Sequence, residues 1–206
     1  VHAVLTGRDL LADGLKPLPH HPLSMHPAEI RLVNRDGSPI FSAPHYPLAT
    51  DKVRYVGEQL AVVVANTVAR AKDAAERVEV DYEILPAVTA TPAAIDPAAP
   101  RIWEEAGSNV WLDADSGDGA ATEAAFARAK HIVRFTTTIN RVTGVTMEPR
   151  AAVCDFDRAA QSYTLSAGSG GAVRLKDDLA TVLNVPAENV RVVMYDIGGN
   201  FGTRGM

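Results

Sequence analysis

The sequence predicts an α+β chain built from two units joined by an irregular stretch. Three observations carry that expectation. A strand, an amphipathic helix and a second strand follow one another over 59–82; a proline- and alanine-rich stretch with little charge covers 87–100; and strand patterns beyond it lead to a helix, a last strand and a glycine-rich loop at 198–202.

The elements follow in order. Val1-His2-Ala3-Val4-Leu5-Thr6 reads as a strand, with no charged leader or signal-peptide core before it. Val1 is not an initiator and the glycine loop lies close to Met206, so the sequence is expected to be a segment cut at both ends. Thr6-Gly7-Arg8-Asp9-Leu10 turns into a segment carrying Pro17, Pro19, Pro22, Pro27, Pro39, Pro44 and Pro47, a density that forbids a long helix because each proline removes an N–H donor and clashes with the preceding turn. Short strands at 29–33 and 40–41 fit there, joined by the turn signal Arg35-Asp36-Gly37. The clearest unit comes next: strand 59–65, helix 68–78 and strand 79–82 read as βαβ. Asn66 or Thr67 can cap that helix, and Val68, Ala71, Ala74, Ala75 and Val78 fall on one face. Leu85-Pro86 closes the unit, and 87–100 reads as a linker.

The second unit begins with a turn at 113–119 and a helix at 120–130. A strand at 132–139, with apolar and polar residues alternating, is followed by strands at 151–156 and 162–166 around an Asp157-Arg158 turn. A helix over 172–183 presents Val173, Leu175, Leu179, Val182 and Leu183, and Asn184-Val185-Pro186 stops it. Strand 190–195 delivers the loop Asp196-Ile197-Gly198-Gly199-Asn200-Phe201-Gly202. Because Gly168-Ser169-Gly170-Gly171 precedes the helix, two glycine-rich loops flank one strand-helix-strand unit and are expected to face the same space.

Composition narrows the function. The chain has 206 residues, 47% of them hydrophobic, enough for real cores. Lys and Arg total 20 against 25 Asp and Glu, a net charge of -5 without a basic run, which disfavours nucleic-acid binding. The longest apolar run, 60–65, is far short of the roughly 18 residues of a membrane span, and a soluble chain is expected. The one cysteine, Cys154, cannot by itself hold an iron-sulfur cluster or zinc, and its apolar surroundings suggest a buried structural thiol.

Other residues invite chemistry but read better as architecture. His20, His21 and His26 lack a well-spaced third ligand type and are read as loop histidines, so no metal site is assigned. Asp81 and Glu83 share a strand face without a nearby histidine or nucleophile. Glu148, in Met147-Glu148-Pro149-Arg150, is a candidate acid or base, but an internal ion pair or hydrogen bond that fixes a loop is the favoured reading. The glycine loop itself, Gly-Gly-x-x-Gly, departs from the dinucleotide fingerprint Gly-x-Gly-x-x-Gly and leaves a nucleotide-binding module only as an alternative.

Taken together, three stretches resemble the large, molybdopterin-binding subunit of the xanthine dehydrogenase and aerobic carbon monoxide dehydrogenase family. Residues 53–58 with 60–65 and Val80-Asp81-Tyr82-Glu83-Ile84-Leu85-Pro86 look like its α/β hammerhead domain. Met147-Glu148-Pro149-Arg150-Ala151-Ala152 and 196–202 look like successive signatures of the domain after it. The resemblance implies a hammerhead α/β domain at 1–88, a linker at 89–110, and the beginning of a molybdopterin-binding α+β domain at 111–206. It implies cofactor contacts at Gly170, Gly171, Gly199, Asn200, Phe201 and Gly202, with main-chain groups of Phe201 and Gly202 nearest the molybdenum end. It further implies molybdenum-molybdopterin in its cytosine dinucleotide form, iron-sulfur and FAD groups on partner subunits, a small-molecule substrate, the remainder of a large subunit as partner, and a cytoplasmic location. The family's catalytic glutamate would lie downstream of the sequence, so no catalytic residue is assigned. The implied activity is oxidation of an aldehyde or N-heterocycle with water-derived oxygen, and the alternative is a non-catalytic assembly piece.

Two departures stand out. Gly170 is placed where many members carry a glutamine that contacts the metal centre, and Asn200 stands where many have a third glycine, followed by Thr203-Arg204 instead of a lysine-containing continuation. Both resemble a carbon monoxide dehydrogenase-like branch and count against carbon monoxide and xanthine as substrates.

Overall fold

A computed structural model describes residues 1–19 and 32–204. In chain order the elements are β1 (Ala3–Thr6), α1 (Gly7–Ala12), β2 (Ala61–Val64), α2 (Val68–Ala75), α3 (Thr91–Ala94), α4 (Gly119–Arg128), β3 (Ala152–Asp157), β4 (Ser162–Ala167), α5 (Ala172–Leu183), a 3-10 turn (Ala187–Asn189) and β5 (Val190–Val193). The chain is α+β, and it divides into two compact units. One comprises Val1–His20, Ala43–Ala87 and Gly144–Met206, the other His21–Ser42 and Val88–Thr143.

In the first unit β1 and β2 pair antiparallel, Ala3 opposite Val64 and Thr6 opposite Ala61. The expected turn at 6–10 is instead the short helix α1, because Thr6 and Asp9 supply a reciprocal cap: the Thr6 N–H and hydroxyl both donate to Asp9 Oδ2 at 2.7 Å. The Thr6 hydroxyl, and then its N–H, hold the Asp9 carboxyl below the usual carboxylate value. Helix α2 begins where the Thr67 hydroxyl accepts the Arg70 N–H at 3.2 Å. Ala71 and Ala74 are half-buried, whereas Val68, Ala75 and Val78 of the expected face are exposed.

The remaining sheet has the order β3-β4-β5, with β3 antiparallel and β5 parallel to β4. Helix α5 is the crossover and packs on β5. Val190, 2% exposed, is at the centre of this core with Ala180 and Val182. The buried positions of α5 are Asp178, Ala180 and Val182, while Val173 is 75% exposed, so the apolar face is rotated from the expected one. Asp178 carries its polar group inside by facing Arg174 one helical turn earlier, Nε to Oδ2 3.9 Å. Asn184 ends the helix in the left-handed conformation, φ 56°, and its N–H returns to Ala180 and Thr181.

The second unit contains α3 and α4. The expected linker is partly ordered: Asn109 Nδ2 donates to Ala94 O and Pro100 O, each at 3.0 Å, and its Oδ1 accepts from Ile102 N at 3.0 Å. Arg35 meets Asp113 at 2.5 Å and Asp115 at 3.4 Å, and the Asp113 hydrogen bond raises the Arg35 pKa above its usual value.

Several expected strands do not form. Residues 79–82 and 132–139 pair with no strand among the described residues, and Val133, Phe135 and Ile139 lie exposed. Alternating side chains favour extended backbone, but a strand exists only when a neighbour takes its N–H and C=O groups. The βαβ reading therefore gives way to a β1–β2 antiparallel pair with α2 beside β2. Residues 40–41 are also unpaired; of the strand expected at 29–33, residues 29–31 lie outside the described residues and 32–33 form none. Cys154 is exposed rather than buried, because β3 has a neighbour on one side only and every residue of it is open to solvent. His20, His21 and His26 lie outside the described residues. No helix among the described residues is long and apolar enough to cross a membrane.

Candidate functional site

β5 runs into the loop 198–202, and three positive φ angles in four residues turn it: Gly199 at 114°, Phe201 at 49° and Gly202 at 77°. Phe201 is a rare non-glycine in the left-handed region, a strained choice that marks a local constraint. The residue is 77% exposed, so burial does not account for that conformation. The Asn200 carbonyl accepts from the Thr203 N–H and hydroxyl, both at 2.9 Å, and closes the turn from inside.

What holds the loop is a polar lock built from three chain segments. Glu148 Oε2 accepts the Gly198 N–H at 2.7 Å and the Arg204 Nη1–H at 3.0 Å. Arg204 Nη2 donates to Thr146 Oγ1 at 3.0 Å and to the Glu148 carbonyl, and the Thr146 hydroxyl donates to that carbonyl at 2.7 Å. Arg150 reaches the Thr203 carbonyl. From the third segment, the Gly170 N–H donates to Arg204 O at 2.7 Å, while Asn200 Oδ1 accepts the Arg204 N–H at 3.3 Å. Arg204 is only 3% exposed, and its Nε has no hydrogen-bond partner among the described residues.

The glycines make this approach possible. A Cβ at Gly168 would be 2.5 Å from Arg204 Nη1, and one at Gly170 would be 2.9 Å from Asn200 Nδ2. Two side chains of the 198–204 segment thus occupy the room that side chains before α5 would take. The two glycine-rich loops do face each other, as their spacing around β4, α5 and β5 implied. Gly171 is apart from this lock: it caps α5 with its N–H on Ser169 Oγ at 3.3 Å, and the space beside it is open.

Glu148 makes the internal ion pair expected of it, though with Arg204 rather than its neighbour Arg150, and its carboxylate is committed to holding the loop. The N–H groups of Gly199, Asn200, Phe201 and Gly202 donate to no acceptor among the described residues. The turn 198–202 presents main-chain dipoles and carries no titratable side chain of its own, a combination suited to gripping an anionic or oxo-bearing group without exchanging a proton with it. Those N–H groups and the Asn200 amide fit such a cofactor. No group of three His, Cys, Asp or Glu that could hold a metal ion comes together among the described residues, and His45 instead meets Tyr55 Oη at 3.2 Å.

Sequence reasoning missed Arg204, Thr146 and Gly168. The signal for Arg204 was faint: an arginine two residues beyond a glycine loop could face solvent as readily as a glutamate 56 positions earlier.

Comparison with known proteins identifies the family of both parts of the chain. Residues 102–206 match the family model of the molybdopterin cofactor-binding domain, and residues 27–86 match the aldehyde oxidase and xanthine dehydrogenase a/b hammerhead domain. The chain is 35% identical over 164 residues to the 6-hydroxypseudooxynicotine dehydrogenase complex subunit gamma of Paenarthrobacter nicotinovorans, covering 78% of this chain and 20% of that protein. It is 31% identical to the carbon monoxide dehydrogenase large chain of Hydrogenophaga pseudoflava, covering 99% of this chain and 24% of the relative. Its fold superposes on reconstituted CO dehydrogenase from Oligotropha carboxidovorans with a TM-score of 0.77 at 26% identity, over 100% of this chain and 25% of that one. The chain thus spans about a fifth to a quarter of the length of these relatives.

Proposed function

The chain belongs to the xanthine dehydrogenase and aerobic carbon monoxide dehydrogenase family of molybdopterin-binding proteins, and on that premise we propose that it serves as part of the large subunit of a molybdenum hydroxylase. The reaction class is oxidation of an aldehyde, an N-heterocycle or a related small molecule with oxygen derived from water. When bound, molybdenum-molybdopterin, in its cytosine dinucleotide form, supplies the redox chemistry, and electrons leave through iron-sulfur and flavin groups on partner subunits. The protein works in the cytoplasm. Its division is a hammerhead domain at 1–88, a connecting stretch at 89–110 and a cofactor-binding portion at 111–206.

The observation that carries the reading is the set of N–H groups on 199–202 that have no acceptor among the described residues, in a turn with positive φ at Gly199 and Gly202 whose ends are tied by the Glu148–Arg204 pair. Phe201 and Gly202 offer their N–H groups to the anionic end of the cofactor. Gly199 and Asn200 complete that wall, and Gly170 and Gly171 form the opposite lip. Each residue binds or orients; none moves a proton, and the general base belongs to chain outside this sequence.

Metal and pterin analysis of the full-length protein, purified with its partner subunits, tests this. Stoichiometric molybdenum and pterin are expected. A folded, assembled protein without either is incompatible with the proposal, and tight binding of NAD or FAD by the 206-residue chain would favour a nucleotide-binding module in its place.

A further inference from the structure

We infer that Arg204 is a positioning residue for the cofactor loop, acting from the room that Gly168 leaves open. This rests on the reading of 198–202 as a molybdopterin-binding loop. The guanidinium is inside the protein, 3% exposed, between the turn at 146–148 and the two glycine loops. Its Nη1 is on Glu148 Oε2, its Nη2 on Thr146 Oγ1 and the Glu148 carbonyl, its N–H on Asn200 Oδ1, and its carbonyl on the Gly170 N–H. One residue therefore fixes both ends of the 198–204 turn and the loop before α5.

Two physical points separate this role from ordinary packing. The pair is one-sided, Arg204 buried and the Glu148 side chain 41% exposed: desolvation of the guanidinium offsets much of the attraction, so the pair is a poor source of net stability, but removing Glu148 takes an acceptor from a buried charge that is already fixed in direction. The contacts also need a planar fork. Three acceptors around two terminal nitrogens can be met by a guanidinium, whereas the single ammonium of lysine cannot span the same directions.

The space is also specific. A Cβ on residue 168 would fall 2.5 Å from Nη1, 3.3 Å from Ile197 Cγ2 and 3.4 Å from Glu148 Oε2. Even a methyl group there displaces the guanidinium. Gly168 and Arg204 form one unit in which the polar strut of the site comes from the loop's own segment instead of from the loop before α5. Through Glu148, which shares Oε2 between Arg204 and the Gly198 N–H, the strut sets where the free N–H groups of 199–202 point.

The test uses the full-length protein with its partner subunits. Arg204→Lys, Gly168→Ala and their combination are compared with wild type for loss of bound pterin on dilution, followed by fluorescence of the oxidised pterin, and for thermal unfolding. Arg204→Lys and Gly168→Ala are each expected to speed pterin loss about tenfold, the scale typical of residues that orient the direct contacts of a bound group. The combination is expected to be no worse than either alone, because both displace the same guanidinium. Glu148→Gln, which keeps the shape and removes the charge, is expected to fall between wild type and these variants. Wild-type retention in both single variants overturns the inference, as does a combined effect equal to the product of the single ones, or a fall in Tm without faster pterin loss from the folded protein. A wild type that carries no pterin removes the proposed function and this inference together, whereas a loaded wild type with insensitive variants removes this inference alone.

Discussion

Gly7 and Gly202 show how one substitution can fail for two reasons. At Gly202, φ is 77° and nothing lies within 4 Å of an added Cβ, so Gly202→Ala meets strain and no clash. It is expected to cost about 1–2 kcal/mol, the penalty of the left-handed conformation, measured by denaturant unfolding. At Gly7, an added Cβ would be 2.1 Å from the Ala49 carbonyl oxygen, a backbone atom with no rotamer to escape through. Gly7→Ala is expected to cost about 3 kcal/mol in the same assay. Cys154 offers a separate check: being exposed on β3, it should react stoichiometrically with a thiol reagent in the folded chain, and protection would place a covering layer over that strand. The cysteine was misjudged because its apolar neighbours indicate what a strand would like to cover, not what covers it.

Most elements set by local chemistry were legible, α1 with its Thr6–Asp9 cap being the exception. Helix α5 occupies its expected span because apolar spacing, a preceding glycine run and Asn184-Val185-Pro186 all act within the segment, and α2 starts at Thr67 for the same reason. The β3–β4 hairpin follows from the Asp157-Arg158 turn, where Asp157 Oδ1 accepts the Ala159 and Ala160 N–H groups at 2.8 and 3.0 Å. Those bonds, that from Ala160 first, lower the Asp157 pKa. The contribution of this carboxylate is therefore complete above the ordinary carboxylate value, about pH 4, and is lost as pH falls through the lower folded value. Asp157→Ala should lower Tm at pH 7, and the difference from wild type should shrink as pH falls below the ordinary carboxylate value; a difference that does not shrink on acidification would assign the effect to something other than the charge. In the core, Val190→Ala is expected to cost about 2 kcal/mol in denaturant unfolding, since Val190 is the most enclosed apolar side chain between α5 and β4. The strands at 79–82 and 132–139 were misread because pairing partners cannot be found from alternation alone.

For the whole molecule, the chain leaves uncovered apolar residues close in sequence: Val133, Phe135 and Ile139, then Val142, Val145 and Met147, the last 95% exposed. Single exposed apolar residues need no explanation, but a sustained run does. The 206-residue chain should therefore enhance the fluorescence of a dye such as ANS while folded, and absence of enhancement would mean that these residues are covered in solution. Sequence alone determined the family, the α+β class, the start of α2, the stop of α5 at Asn184 and the two glycine loops, because each is written in contiguous residues whose backbone preferences act locally. Only the tertiary structure decided that Arg204 pairs with Glu148, that Gly168 and Gly170 make room for Arg204 and Asn200, and that Val173 faces outward while Asp178 faces in. Those outcomes depend on distances between segments far apart in the chain, where packing, burial of charge and the meeting of donors with acceptors choose among arrangements that local preference leaves equal.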